Sequence, residues 1–464
     1  MGAGGQHPEA REPGLSAGKP PAATAGTASR LLLWAVILLP AVLAFLFVYW
    51  FGVNSVSRDQ WAIVTFLERL SSGTLGFSDL WVQHNEHRIV FPKIAMLGLA
   101  TLTDYNTRAE MYLVLACFLG TLACLLLAFR SSVSGKLLLF VPVAFLAFSL
   151  RQHGNILWGF QVTFAFVLLF SVLALFLLYL ATRGRSRRIV FPAALLSATV
   201  ASLSAAQGLF AWTVGVLQIL ISPVERRTKR LLAGVWGLAG AVVWGIYLYG
   251  LGSGYGSSPL ENLGRPVAGA EFFLTLLGSA LTGRQGLAFA AGLLLAALAA
   301  ASLILLYRSG RWSEDSFWLA LLLFSALTVA SIAAGRTDIG IEEALLSRYA
   351  TFSILAVVAT YALLAKAATD GRSPVTGGLF GLLLALLVLT LPVAYSEGLT
   401  AGQQTMENRQ EAASALATYE SQPEEYLDEV HGWDDIRNRA VVLDDLGYSV
   451  FAERSGGTPG RPPG

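Results

Sequence analysis

The sequence predicts an all-α polytopic membrane protein with about eleven transmembrane helices and further interfacial helices on its outer face. Three observations carry that expectation. Charged residues make up only 13% of the chain, where a soluble globular domain carries about 25%. Apolar stretches of roughly spanning length recur between Leu31 and Tyr395. Arginine and lysine gather in short clusters between those stretches, the usual mark of cytoplasmic loops. The net charge of +2 argues against a nucleic-acid partner. Cys117 and Cys124 fall inside one apolar segment and read as small buried hydrophobes, with no disulfide framework.

Residues 1–29 are rich in Gly, Ala and Pro and read as a disordered cytoplasmic tail. The first apolar run, 31–53, is long enough to span the membrane and remain there. Others follow at 109–129, 135–150, 156–181, 189–206, 208–222, 231–251, 285–307, 316–335, 349–368 and 375–395. Two shorter ones, 89–103 and 268–282, are ambiguous by length. Charge resolves them. The clusters Arg183/Arg185/Arg187/Arg188, Arg226/Arg227/Lys229/Arg230 and Arg308/Arg311, with the weaker Arg130/Lys136 and Lys366/Arg372, must share one side. An even number of crossings then separates neighbouring clusters, so neither short stretch crosses. The N-terminus is cytoplasmic by this count and the C-terminus extracytoplasmic.

The same parity places the large loop 54–108, the turn Arg151–Asn155, the loop 252–284 and the segment 336–348 outside. A small extracytoplasmic segment, 396–452, has a helix-like acidic stretch followed by AVVLDDLGYSVFAE, which suits a short strand or helix packed on the outer loops. The Gly/Pro-rich end, 453–464, reads as disordered.

The outer segments hold the candidate chemistry, because polar groups are costly near a bilayer. Residues 60–72 have helical amphipathicity, with Ile63, Val64, Phe66, Leu67 and Leu70 on one arc, as in a helix lying on the outer leaflet. Asp59 stands at its start and reads either as an N-cap or as a carboxylate able to take a proton from an acceptor hydroxyl. The run His84-Asn-Glu-His-Arg88 offers a His-x-x-His pair beside Glu86. His84, Glu86 and His87 are weak candidates for a divalent cation such as Mg or Mn, and better ones for hydrogen bonding a sugar or headgroup. Glu86 joins Asp59 as a candidate catalytic carboxylate. Arg88 and Lys93 are candidates for phosphate, as are Arg336 and Arg348, whose planar forks suit it. For Arg348 a salt bridge to Glu342 or Glu343 is the alternative. Gln152 and His153 add outer polar groups, and Asn155, Trp158 and Gln161 enter the membrane at helical spacing, where bonding to neighbouring helices is the favoured reading.

The layout Arg58-Asp59-Gln60-Trp61, then Gly73, Leu80-Trp81 and Phe91-Pro92-Lys93, all after a first crossing, resembles the GT-C class of membrane glycosyltransferases. Many of those enzymes carry two acidic residues where this chain has Asp59-Gln60. The resemblance implies a GT-C-like fold and a polyprenyl-phosphate sugar as donor. It implies a cell-envelope glycan, lipid or protein as acceptor, a plasma-membrane location and Asp59 as general base. The alternatives are a transporter or flippase of lipid-linked glycans, or an envelope-glycan polymerase or ligase. Few polar residues inside the helices weigh against transport.

Overall fold

The computed structural model describes residues 1–2, 23–133, 137–252, 261–262, 264–371 and 373–452. Most of the expected N-terminal tail and the whole C-terminal tail 453–464 lie outside the described residues. So do Lys136, Arg372 and residues 253–260 and 263 of the loop 252–284. The described chain is helical, and its one β-bridge joins His84 to His87.

Nine of the described helices are long and apolar enough to cross a membrane. They are α1 (Ala23–Phe51), α5 (Thr107–Ser132), the broken segment Leu137–Ile156 containing α6 (Val141–Ala147) and α7 (His153–Ile156), and α8 (Val162–Thr182) with its leading turn. After them come α11 (Arg226–Leu248), α13 (Gln285–Ser309), α14 (Ser316–Arg336), α15 (Ser347–Gly371) and α16 (Pro374–Ala417). Helix α1 begins at Ala23, inside the stretch expected to be disordered. The remaining two expected crossings, 189–206 and 208–222, are the shorter α9 (Arg187–Ser202) and the segment Ala206–Ile221, which contains α10 (Phe210–Ile221). A helix of that size is about 24 Å long. The hairpin still runs the length of the bundle. Leu203 accepts from the Phe91 N–H at one end (3.3 Å), while Ile221 and Ser222 share a cleft with Gly310 and Trp312 at the other.

The basic loops meet at one end, as their charge parity requires. Arg183 donates to the carbonyls of Ser313 (2.9 Å) and Glu314 (3.0 Å), and Lys366 donates to Asp315 (2.6 Å). Arg311 pairs with Asp370 at 2.9 Å, and the Trp318 indole donates to Ser132. Neither short apolar helix reaches that end. In α12 (Pro266–Gly278) the chain just before the helix bonds to the C-terminal turn of α14, through Asn262 to Ala334 O (2.9 Å). Just after it, Ser279 O accepts from Arg151 (2.9 Å) at the same end. In α4 (Val90–Thr103) the chain leaves through Asp104, in a left-handed conformation, whose carbonyl accepts from Ser449.

Above this second end sits a cap built from both termini of the fold. Ile63, Val64 and Leu67 of α2 (Trp61–Ser71) are buried with Leu427, Ile436, Ala440 and Leu443 from α17 (Glu424–His431) and α18 (Ile436–Leu446). Three residues of the apolar arc expected to lie on lipid are thus covered by the chain itself, at about 1.5–3 kcal/mol for each fully buried aliphatic side chain, while Leu70 stays exposed. Helix α16 makes this possible. Its 44 residues extend about 66 Å, twice the hydrocarbon thickness, and return the C-terminus to α2. The AVVLDDLGYSVFAE stretch is helical, within α18 and a following 3-10 turn.

Helices α12 and α13 touch backbone to backbone. A Cβ on Gly278 would lie 1.8 Å from Ala288 O, and one on Gly292 would lie 1.8 Å from Leu274 O. Gly278→Ala is expected to lower stability by roughly 1–3 kcal/mol. Thermal unfolding in detergent checks this, and an unchanged Tm would show that the two helices are free to separate.

Candidate functional site

The Asp59 turn is set from behind. Gln60 points inward, donating Nε2–H to Glu110 on α5 at 2.6 Å, while its carbonyl accepts from the Tyr105 hydroxyl at 3.2 Å. Gly159 must be glycine here, because a Cβ would lie 2.1 Å from the Glu110 carboxylate. With Gln60 held inward, Asp59 lines a cavity on the other side of the turn. It caps nothing. Ser57 and Gln60 occupy the cap positions without side-chain bonds, and Asp59 Oδ1 lies 3.6 Å from His84 Nε2. Glu110 gives only one signal in the sequence, a carboxylate in the first turn of an apolar span.

HNEHR folds as a tight turn. His84 and His87 exchange backbone N–H···O bonds of 2.8 and 2.9 Å around Asn85, which sits at φ +50°. The turn presents Glu86 to the cavity, where it pairs with Arg336 from the last turn of α14. His87 Nδ1 accepts from the Ala206 N–H (3.4 Å), leaving Nε2 as the donor, 3.9 Å from Glu86 Oε1. Burial pushes the His87 imidazole down to about 4, against the pull of Glu86, so it is neutral at physiological pH. His84 tilts against the Phe160 ring at 5.0 Å. The weak metal reading of His84, Glu86 and His87 does not fit this arrangement. Glu86 is taken by Arg336, and the described residues contain no group of three or more His, Cys, Asp or Glu side chains suited to an ion.

Arg348 enters from the start of α15. It lies 3.5 Å from Glu343, so the salt bridge is real, and it also covers the Tyr349 ring at 5.0 Å. Its carbonyl is bolted down by Asn155 Nδ2 at 2.8 Å.

Asp59, His84, Glu86, His87, Arg336 and Arg348 therefore line one cavity of about 380 Å³, a volume typical of small-molecule sites. Four other candidates do not line it. Arg88 is buried and donates to the carbonyls of Trp81, Tyr247 and Tyr249 at 2.6–2.8 Å, stapling α11 to the loop. Lys93 is buried too, donating to the carbonyls of Asp79, Leu80 and Val82 around the C-terminal end of α3 (Phe77–Trp81). Burial lowers its pKa to about 8. The phosphate role expected for both gives way to capping of backbone carbonyls. Gln152 bonds Ala147 O and Thr351 Oγ1, and His153 Nδ1 bonds Leu150 O, so both serve helix packing. Of the three residues entering at helical spacing, Asn155 bonds Arg348 O and Thr351. Trp158 and Gln161 line the cavity.

The remaining lining came from no outer motif. Gln207 stands alone in the turn Ala206–Leu209 between α9 and α10, and Trp244 and Tyr247 lie on α11. A single glutamine between two apolar helices was the only signal for the first. Comparisons with protein-family models and with curated proteins return no match for this chain. The site's chemistry alone carries the functional reading.

Two neutral histidines make stability depend on acid. His431, buried in the cap beside Trp61 with Nδ1 bonded to Val56 O, is likewise held down at about 4 by burial. The unfolded chain protonates both near 6.5, whereas the folded chain resists until about 4, so stability falls as pH drops through that window. Melting curves at several pH values between 7 and 4.5 should show this fall, and His431→Gln should make it shallower. Equal slopes would exclude the His431 contribution.

Proposed function

We propose that this chain is a membrane glycosyltransferase that moves a sugar from a polyprenyl phosphate to a cell-envelope glycan, lipid or protein acceptor. The basic end lies in the cytoplasm of the cell membrane on this reading, and the cavity opens outside. The observation that carries the proposal is the meeting of Asp59, Glu86, His87, Arg336 and Arg348, drawn from two distant parts of the chain, in one cavity that also has aromatic lining.

The chemistry needs a base and a cation. Asp59 accepts the proton of the acceptor hydroxyl, whose oxygen attacks the anomeric carbon as the bond from that carbon to the phosphate oxygen breaks. His84, 3.6 Å away, orients the carboxylate. Arg348 and Arg336 receive the charge that develops on the leaving phosphate, their guanidinium groups already directed by Glu343 and Glu86. Glu86 acts in this scheme by aligning Arg336.

The lipid tail leaves between α11 and α14. Trp244, Leu248 and Leu251 face Ser331, Ile332 and Gly335 across the cavity, and Leu248 is half exposed on the outside of the bundle. Helix α11 packs on α9 and α10, and α14 on α8, α10, α12 and α15. On this reading the gap between α11 and α14, beside the part-exposed Leu248, is the mouth through which the tail passes to lipid.

Transfer of a labelled sugar from a polyprenyl-phosphate sugar, in membranes containing the protein, tests the assignment. Asp59→Asn is expected to lower the rate about 10²- to 10⁴-fold at unchanged Tm, and full activity in that variant would remove Asp59 as base. At Gly335 a Cβ meets nothing within 4 Å, so Gly335→Phe folds and obstructs the mouth. It should raise KM for the lipid-linked donor, and an unchanged KM would place the tail elsewhere.

A further inference from the structure

Five glutamines are buried among the described residues: Gln60, Gln152, Gln161, Gln207 and Gln218. Three of them use their amide inside the fold, donating to Glu110, to Ala147 O and to Leu175 O. Gln161 and Gln207 do not. Their side chains make no hydrogen bond within the chain through either the oxygen or the nitrogen, and the residues are only 3% and 8% exposed. Gln60 and Gln218 also have an unpartnered Oε1, but their amide nitrogens are used inside the fold. Both line the same cavity. A buried amide left unpaired is destabilising, so a native fold that keeps two of them in one cavity keeps them for an occupant.

The type of group says what that occupant offers. A guanidinium only donates and matches an oxyanion, whereas a carboxamide donates and accepts at once and matches a hydroxyl. The cavity thus has two chemically distinct seats. Arg336 and Arg348 form one and the two glutamines the other. The glutamines are also held rigidly. Gln161 closes a 3-10 turn after Trp158 and Phe160, whose rings stack at 5.7 Å. Gln207 precedes Gly208, where a Cβ would lie 2.1 Å from Ala201 O, so its turn is pressed against α9.

We infer that Gln161 and Gln207 bind the hydroxyl groups of the donor's sugar, apart from the phosphate seat at Arg336 and Arg348, and so determine which lipid phosphates are accepted. This rests on the glycosyl-transfer reading. The test uses the full chain in nanodiscs and two probes, farnesyl phosphate and farnesyl phosphate carrying one hexose on the phosphate. Fluorescence of Trp158 and Trp244 in the cavity wall reports binding. The wild type should bind the hexosyl probe more tightly than the bare phosphate. Gln161→Ala and Gln207→Ala should each weaken the hexosyl probe about 2- to 10-fold and leave the bare phosphate within about 2-fold. Gln161→Met and Gln207→Met, of similar volume, should do the same at an unchanged or raised Tm, because they remove an unpaired amide. A structural role would lower Tm instead. Equal weakening of both probes, or of neither, overturns the sugar seat while leaving the transferase reading intact. A wild type that binds neither probe overturns both.

Discussion

A backbone carbonyl freed at a helix end or a bend, near a bilayer, must find a donor, because little water competes to supply one. Much of the arrangement around the cavity follows from that constraint. Arg88 serves three carbonyls, Lys93 three around the end of one short helix, and Arg151 those of Ser279 and Leu345. Arg88 and Arg151 join segments more than a hundred residues apart, so for them satisfying the backbone and fixing the tertiary structure are one event. The cations that remain for ligands, Arg336 and Arg348, are those whose partners are carboxylates. A guanidinium paired with a carboxylate through one nitrogen has further N–H donors to turn toward an incoming phosphate. A buried carbonyl cannot release its donor without being left unpaired.

The same division separates what was legible in the sequence from what was not. Hydropathy and the placement of Arg and Lys located the spans and gathered Arg183, Arg311 and Lys366 at one end, since both signals are local and additive. They also set apart the short helices at 90–103 and 266–278, neither of which reaches the basic end. Charge parity assigned Asp59, Glu86, His87, Arg336 and Arg348 to one side of the membrane, but their meeting in one cavity depends on long-range packing that no local pattern shows. Arg88 and Lys93 were misjudged, because an arginine that caps carbonyls and one that awaits a ligand have the same local sequence. The cover on α2 was missed for a related reason. An amphipathic arc announces that something apolar lies against it, and lipid and Leu443 satisfy it equally well.

The ion pairs within the cavity are part-exposed, so each adds little to stability on its own. Their value is geometric. Glu86 and Arg336 lie 250 residues apart, and their contact in the cavity lining ties the first loop to the end of α14. Glu343 does for Arg348 what Glu86 does for Arg336. Charges fixed in this way need not reorganise when charge moves during a reaction, which is where preorganised electrostatics contributes most.

The cap has a consequence in time. A ribosome delivers α2 early and α18 last, so the apolar face beside Asp59 waits uncovered while some 365 residues are made. At 5–20 residues per second that is roughly 20–70 s. Through that interval the face must rest on lipid or on a chaperone, although the Asp59 turn is already held by Tyr105, Glu110 and Gly159. The bundle and the cavity are made of residues that precede α17, whereas the cover over α2 is completed afterwards.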